Sequence, residues 1–113
     1  MSAITTHILD TSRGRPAHGV HVTLEVEDGG TWRTIGQGKT DDDGRLRTLL
    51  GDGVRPAAAI HRLTFEVAPY FQAFGVGTFF PRVQITFSIV APDEHHHVPL
   101  LLSPFGYSTY RGS

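Results

Sequence analysis

Histidine is the side chain best suited to moving protons near neutral pH, and this chain carries seven, three of them consecutive at His95-His96-His97. On an extended backbone successive side chains point to opposite faces, so His95 and His97 share one face and His96 takes the other. Two imidazoles on one face can bind a metal, shuttle protons or stand solvated, and the neighbouring residues leave all three readings open. A zinc site wants a third ligand of matching geometry, and Asp93 and Glu94 lie too close along the chain to converge with the histidines on one ion. His7, taken singly, reads as a polar residue at the start of a strand, and Arg45, beside the Asp43-Gly44 turn, as a solvated charge. Tyr110-Arg111-Gly112-Ser113 reads singly as a frayed tail.

Other chemistries are excluded more firmly. The chain has no cysteine, which removes disulfides, thiolate zinc sites and cysteine nucleophiles together. Gly36-Gln37-Gly38 and Gly75-Val76-Gly77 lack the third glycine and following helix of a dinucleotide fingerprint. Ser108 lacks the second glycine of a nucleophile elbow. Asp41, Asp43 and Gly44 suggest a calcium loop only faintly, because Arg45 and Arg47 stand where oxygen ligands belong; a tight turn is the better reading.

The elements that must position these residues repeat with a period of two. Val20, Val22, Leu24 and Val26 alternate with His21, Thr23 and Glu25; Leu63, Phe65 and Val67 alternate with Thr64 and Glu66; Val83, Ile85, Phe87 and Ile89 alternate with Gln84, Thr86 and Ser88. Each is the pattern of a strand with one buried face, and together they predict an all-β sandwich or barrel. Asp28-Gly29-Gly30 predicts a turn into a strand over Trp32–Gly38, and Asp42-Asp43-Gly44 a turn into a short strand near Leu46. Gly51–Pro56 reads as a loop. One short helix is expected from about Pro69 to Phe74, with proline in its first turn and Gly75 capping its end. Val98-Pro99-Leu100-Leu101-Leu102 is apolar enough to pack against a core or a second subunit, and Gly106–Arg111 is expected to form the last strand after the Ser103-Pro104 turn.

With 113 residues, 39% of them hydrophobic and 19% charged, the chain fits a single globular domain, residues 1–113. A net charge of −1 and the lack of a basic cluster argue against a nucleic-acid or anionic-membrane partner. No run approaches the ~20 apolar residues of a membrane helix, and no signal segment opens the chain. A cytoplasmic location is the expectation.

Taken together, the scattered residues resemble a known family. Thr6-His7-Ile8-Leu9-Asp10 with Gly14-Arg15-Pro16-Ala17, Asp43-Gly44-Arg45, and the run from His95 to Ser113 resemble the opening, central and closing signatures of the transthyretin-related 5-hydroxyisourate hydrolases. The likeness runs from Thr5 to Ser113, with the departure that His96 stands where the family usually has tyrosine. It implies a transthyretin-like (prealbumin-like) sandwich of two antiparallel sheets with one short helix. It also implies a homotetramer, a dimer of dimers with active sites where the dimers meet. The implied reaction opens the six-membered ring of 5-hydroxyisourate by adding water across an amide bond, with no cofactor and no metal.

On that resemblance His7 and His97 form the acid/base pair, Arg45 stabilises the oxyanion, and Ser113 takes part through its hydroxyl or the terminal carboxylate, so that a C-terminal tag is expected to impair activity. Tyr110, Arg111 and Gly112 bind or shape the substrate site, and His95 acts from behind His97. The alternative is a transthyretin-type protein binding a small ligand, against which the histidines and Arg45 argue, since buried charge beneath an apolar ligand is costly.

Overall fold

Alternation of side chains along the sequence becomes nine strands and one short helix in the computed structural model, which describes residues 2–113. In chain order these are β1 (Ile4–Asp10), β2 (Arg15–Pro16), β3 (His21–Asp28), β4 (Thr31–Lys39), β5 (Arg45–Leu46), β6 (Ile60–Glu66), α1 (Val67–Gln72), β7 (Arg82–Ser88), β8 (His96–Ser103) and β9 (Gly106–Thr109). They form two sheets. One has the order β4-β3-β6-β7; the other has the order β2-β1-β8-β9, with β5 also pairing β1. All pairings are antiparallel except that of β1 with β8, which is parallel and sets Thr5 opposite His97 and His7 opposite Pro99.

The sheets face each other across a single apolar core. Ile4 and Ile8 of β1, Leu100 and Leu102 of β8, Val22 and Leu24 of β3, and Leu63 and Phe65 of β6 are essentially fully buried in it. The apolar tail therefore completes the chain's own core. Burial of side chains of this size contributes about 1.5–3 kcal/mol each, which is what holds two otherwise separate sheets together.

The alternating strands appear where the sequence predicts them, within a few residues. The helix differs: it spans Val67–Gln72 rather than Pro69 to Phe74. Val67, Tyr70 and Phe71 are its buried residues, so packing of that face pulls the start forward, and Phe74 is left exposed. Gly75 does adopt the left-handed conformation of a helix-ending residue (φ 70°).

The last strand also differs, closing at Thr109 instead of Arg111. Its register would set Tyr110 opposite Pro99, which has no N–H to give, and the Thr109 hydroxyl takes the Pro99 carbonyl at 2.7 Å. Pairing resumes two residues later as an isolated bridge between His97 and Gly112.

Candidate active site on the outer face of the β1–β8 sheet

Two local devices hold the site. At the far end of β1, the buried Asp10 accepts hydrogen bonds from the Ser12 N–H (3.0 Å) and hydroxyl (2.6 Å) at Oδ1, and from the Tyr70 hydroxyl at Oδ2 (2.8 Å). This carboxylate ties β1 to α1, so the Asp10 of the opening signature is structural. At the other side, the Asp41 carboxylate accepts the N–H groups of Asp43 and Arg45, both at 2.9 Å, and these bonds hold its pKa below the usual carboxylate range. The turn closes through Gly44 (φ 73°), whose carbonyl accepts the Ile8 N–H at 2.8 Å. A Cβ at residue 44 would lie 2.5 Å from the Ile8 carbonyl oxygen, so only glycine lets the turn dock on β1. The result is register: Arg45 sits directly opposite His7.

Parity does the rest. Ile4, Thr6 and Ile8 point into the core, which turns Thr5 and His7 to the outer face, alongside His97 and Arg45. A cleft of about 240 Å³ opens there, lined by Thr5, Thr6, Arg45, Arg47, His95, His97 and Ser113. The Thr5 hydroxyl oxygen lies 2.8 Å from His97 Nδ1 and 3.0 Å from His95 Nε2, and the two imidazoles stack with centroids 6.3 Å apart. Gly112 packs flat against the His97 ring: a Cβ there would lie 2.6 Å from its Cδ2.

Electrostatics favour neutral imidazoles. Partial burial and the Arg45 guanidinium hold His7 below the ordinary histidine pKa, against the opposing pull of the Asp43 backbone and the Asp41 and Asp43 carboxylates. Burial, then Arg45, His95 and His7 do the same to His97, opposed by the Thr5 backbone. The cleft thus presents neutral bases beside a permanent cation. Such a set can take a proton from attacking water while a guanidinium meets the negative charge that develops on a carbonyl oxygen. Among the described residues, no three His, Asp or Glu side chains form a metal-ligand group.

Of the residues expected from the sequence, Arg45, His95, His97 and Ser113 line this cleft, His7 stands beside it opposite Arg45, and Gly112 pairs with His97. Arg111 is not among them. Its guanidinium turns away to Glu94 (3.2 Å) and the His95 carbonyl (3.5 Å), so it braces the segment that carries His95. Tyr110 is largely exposed, and with Arg111 it lines a different cavity of about 290 Å³, walled by Ile85, Phe87 and Val98 where the two sheets part. Thr5 and Arg47 were not anticipated. Each lies two positions from an expected residue and so on the same face, a signal that parity supplies once a strand is known.

Comparison with known proteins places the chain. Residues 4–112 match the model of the HIUase/Transthyretin family. A 5-hydroxyisourate hydrolase of Salmonella typhimurium is 44% identical over 110 residues, covering 97% of this chain and 80% of that protein. The structure of the Klebsiella pneumoniae 5-hydroxyisourate hydrolase superposes with a TM-score of 0.85 at 40% identity, over the full length of both chains. Sea bream transthyretin in complex with thyroxine superposes with a TM-score of 0.88 at 29% identity, covering 97% of this chain and 94% of that one. The chain, with its transthyretin-like sandwich and the signature residues gathered on one sheet face, belongs to the HIUase/Transthyretin family.

Proposed function

We propose that the protein hydrolyses 5-hydroxyisourate in urate degradation, opening its six-membered ring to give 2-oxo-4-hydroxy-4-carboxy-5-ureidoimidazoline. The observation that carries this reading is the grouping of two imidazoles of lowered pKa with one guanidinium on a single sheet face. The relatives named as 5-hydroxyisourate hydrolases support the substrate. His7 and His97 exchange protons with water and the ring nitrogen as the carbonyl is attacked. Arg45 carries the oxyanion, a donor whose loss typically costs about 2.7–4 kcal/mol of transition-state stabilisation. Ser113, at the mouth of the cleft, contacts substrate or water. No metal and no cofactor enter this reading, since the histidines take the proton of the attacking water and Arg45 meets the charge on the oxyanion.

The cleft is one wall of a larger site, and a homotetramer supplies the rest. Strands β7 and β9 end their respective sheets with unpaired edges, and Phe105, Tyr107 and Tyr110 stand exposed on or beside β9. Free edges flanked by exposed aromatics favour pairing with a second copy. Light scattering of the purified protein is expected to give the mass of four chains, and a monomer would overturn this part of the reading.

The deciding assay forms 5-hydroxyisourate in place from urate and urate oxidase and follows its ultraviolet decay. Clear acceleration over the spontaneous rate, lost in His97→Asn, is expected. A folded protein without acceleration would sink the enzyme reading in favour of the transthyretin-type ligand binding that the sea bream likeness suggests.

A further inference from the structure

The two histidines lining the cleft are joined by one hydroxyl, and that hydroxyl has a single proton. Thr5 is 3% exposed, wedged beneath both rings, with its oxygen 2.8 Å from His97 Nδ1 and 3.0 Å from His95 Nε2. A hydroxyl donates once and accepts through its lone pairs. If it donates to His95 Nε2, it must accept from His97 Nδ1–H; if it donates to His97 Nδ1, then His95 Nε2 carries the proton. The two rings therefore cannot choose their tautomers independently.

We propose that Thr5 is a positioning residue that locks His97 in the tautomer protonated at Nδ1, leaving Nε2 bare and facing the cleft as the general base, with His95 Nε2 accepting the Thr5 proton.

Two features fit this direction. The Thr5 backbone stabilises positive charge on His97, which fits a ring that donates toward Thr5. His97 Nε2 has no hydrogen-bond partner among the described residues, yet it is not one of their buried unpaired atoms, so it is open to solvent, and His97 lines the cleft. The charged groups around His97 are Arg45 from β5 and the titratable His7 and His95; none of them has a hydrogen bond to Nε2. The lock also gives His95 its purpose, since its backbone is braced by Arg111 while its ring receives the Thr5 proton. When Nε2 takes a proton from water, the Nδ1–H bond to Thr5 strengthens and holds the imidazolium in place.

This inference rests on the hydrolase reading for its kinetic consequence, but not for its structural one, so the two can fail separately. Nitrogen-15 NMR of ring-labelled wild-type protein, near pH 8, should show His97 protonated at Nδ1 and unprotonated at Nε2. The opposite pattern overturns the proposal whatever the protein catalyses. In Thr5→Val, which keeps the shape and removes the hydroxyl, the two His97 nitrogen shifts are expected to converge toward a tautomer mixture. kcat on 5-hydroxyisourate should fall at least about tenfold with KM little changed, because the fraction of correctly protonated base is lost rather than substrate contact. Thr5→Ser is expected to restore both the shifts and kcat. An unaltered His97 spectrum in Thr5→Val, or a Thr5→Ser as impaired as the valine variant, would refute the lock. Wild-type protein with the expected spectrum but no hydrolysis would refute the hydrolase reading alone.

Discussion

His95, His96 and His97 are neighbours in sequence and occupy two different chemical worlds. His95 and His97 line the cleft on the outer face, where their nitrogens meet a hydroxyl and open solvent. His96 turns inward, buried between the sheets, with Nδ1 placed 3.0 Å from the Glu94 carbonyl oxygen. It shares that interior with His61, which is completely buried, touches the Ala59 carbonyl at 3.0 Å through Nδ1, and has no partner for Nε2. The outer pair lines a cleft that substrate can enter; the inner pair is buried, with each Nδ1 held by a backbone carbonyl. Histidine content by itself therefore says little about function, and the side of the sheet says nearly everything.

The contrast breaks most visibly by mutation of its outer member. His97→Asn is expected to lower kcat/KM by roughly 10²–10⁴-fold, with an unchanged melting temperature, whereas His96→Leu should alter the melting temperature and leave kcat/KM within about twofold, since its nitrogens never reach the cleft. Matching losses of activity in the two variants would show that the faces are not functionally separate.

A subtler displacement of the same ring comes from Gly112→Ala. The new Cβ would meet His97 Cδ2 at 2.6 Å, so the ring must move by several tenths of an ångström. Misplacements of this order in a catalytic group cost up to about 10²-fold in rate. Gly112→Ala is expected to show most of its effect in kcat, measured by the same ultraviolet assay.

Acidity separates the two groups differently. His7 and His97 both titrate below the ordinary 6.5, so the neutral bases persist to more acidic pH than free imidazole would. The acid limb of the kcat/KM profile should therefore have its midpoint below 6.5. An acid limb at or above that value would show that neither histidine is the base. His61 is held below 6.5 by burial and, less strongly, by His96, against the pull of the Ala59 backbone. The unfolded chain then binds more protons than the fold as pH drops below 6.5, so the stability that His61 contributes is complete above 6.5 and drains away toward its lower folded value.

The smallest effect is also the most specific. His61→Leu removes an unpaired buried nitrogen, and the Ala59 carbonyl keeps the Ile89 N–H at 3.0 Å. This variant should be more stable by about 1 kcal/mol, and its melting temperature should depend less on pH between 5 and 6.5. A destabilised variant with an unchanged pH slope would mean that the inner histidine is well satisfied after all.

Much of this was legible without coordinates. The period-two runs around Leu24, Phe65 and Ile85 predict half-buried strands because a pleated backbone has no other way to sort apolar from polar side chains. The same alternation separates His96 from its two neighbours, and Gly44 announces a turn that a Cβ would block. Less legible were the start of α1, moved to Val67 by the burial of its own apolar face, and the end of β9, cut by a proline on the opposite strand. Arg111 stands in the closing signature among the expected substrate-binding residues, and no local pattern announces that its guanidinium meets Glu94 and the His95 carbonyl.

What the amino-acid order determined by itself is local: which residues share a face, where the chain must turn, and which side chains have the acidity and charge for hydrolysis. What only the tertiary structure decided is which face becomes the site. Nothing near Thr5 specifies that it will lie against His97, 92 positions away, because the parallel pairing of β1 with β8 is a long-range bond pattern selected by burying Ile4, Ile8, Leu100 and Leu102 together. That core packing turns Thr5, His7 and His97 outward as one surface. A slip of one residue in its register would have put the histidines in the core and the leucines in the cleft.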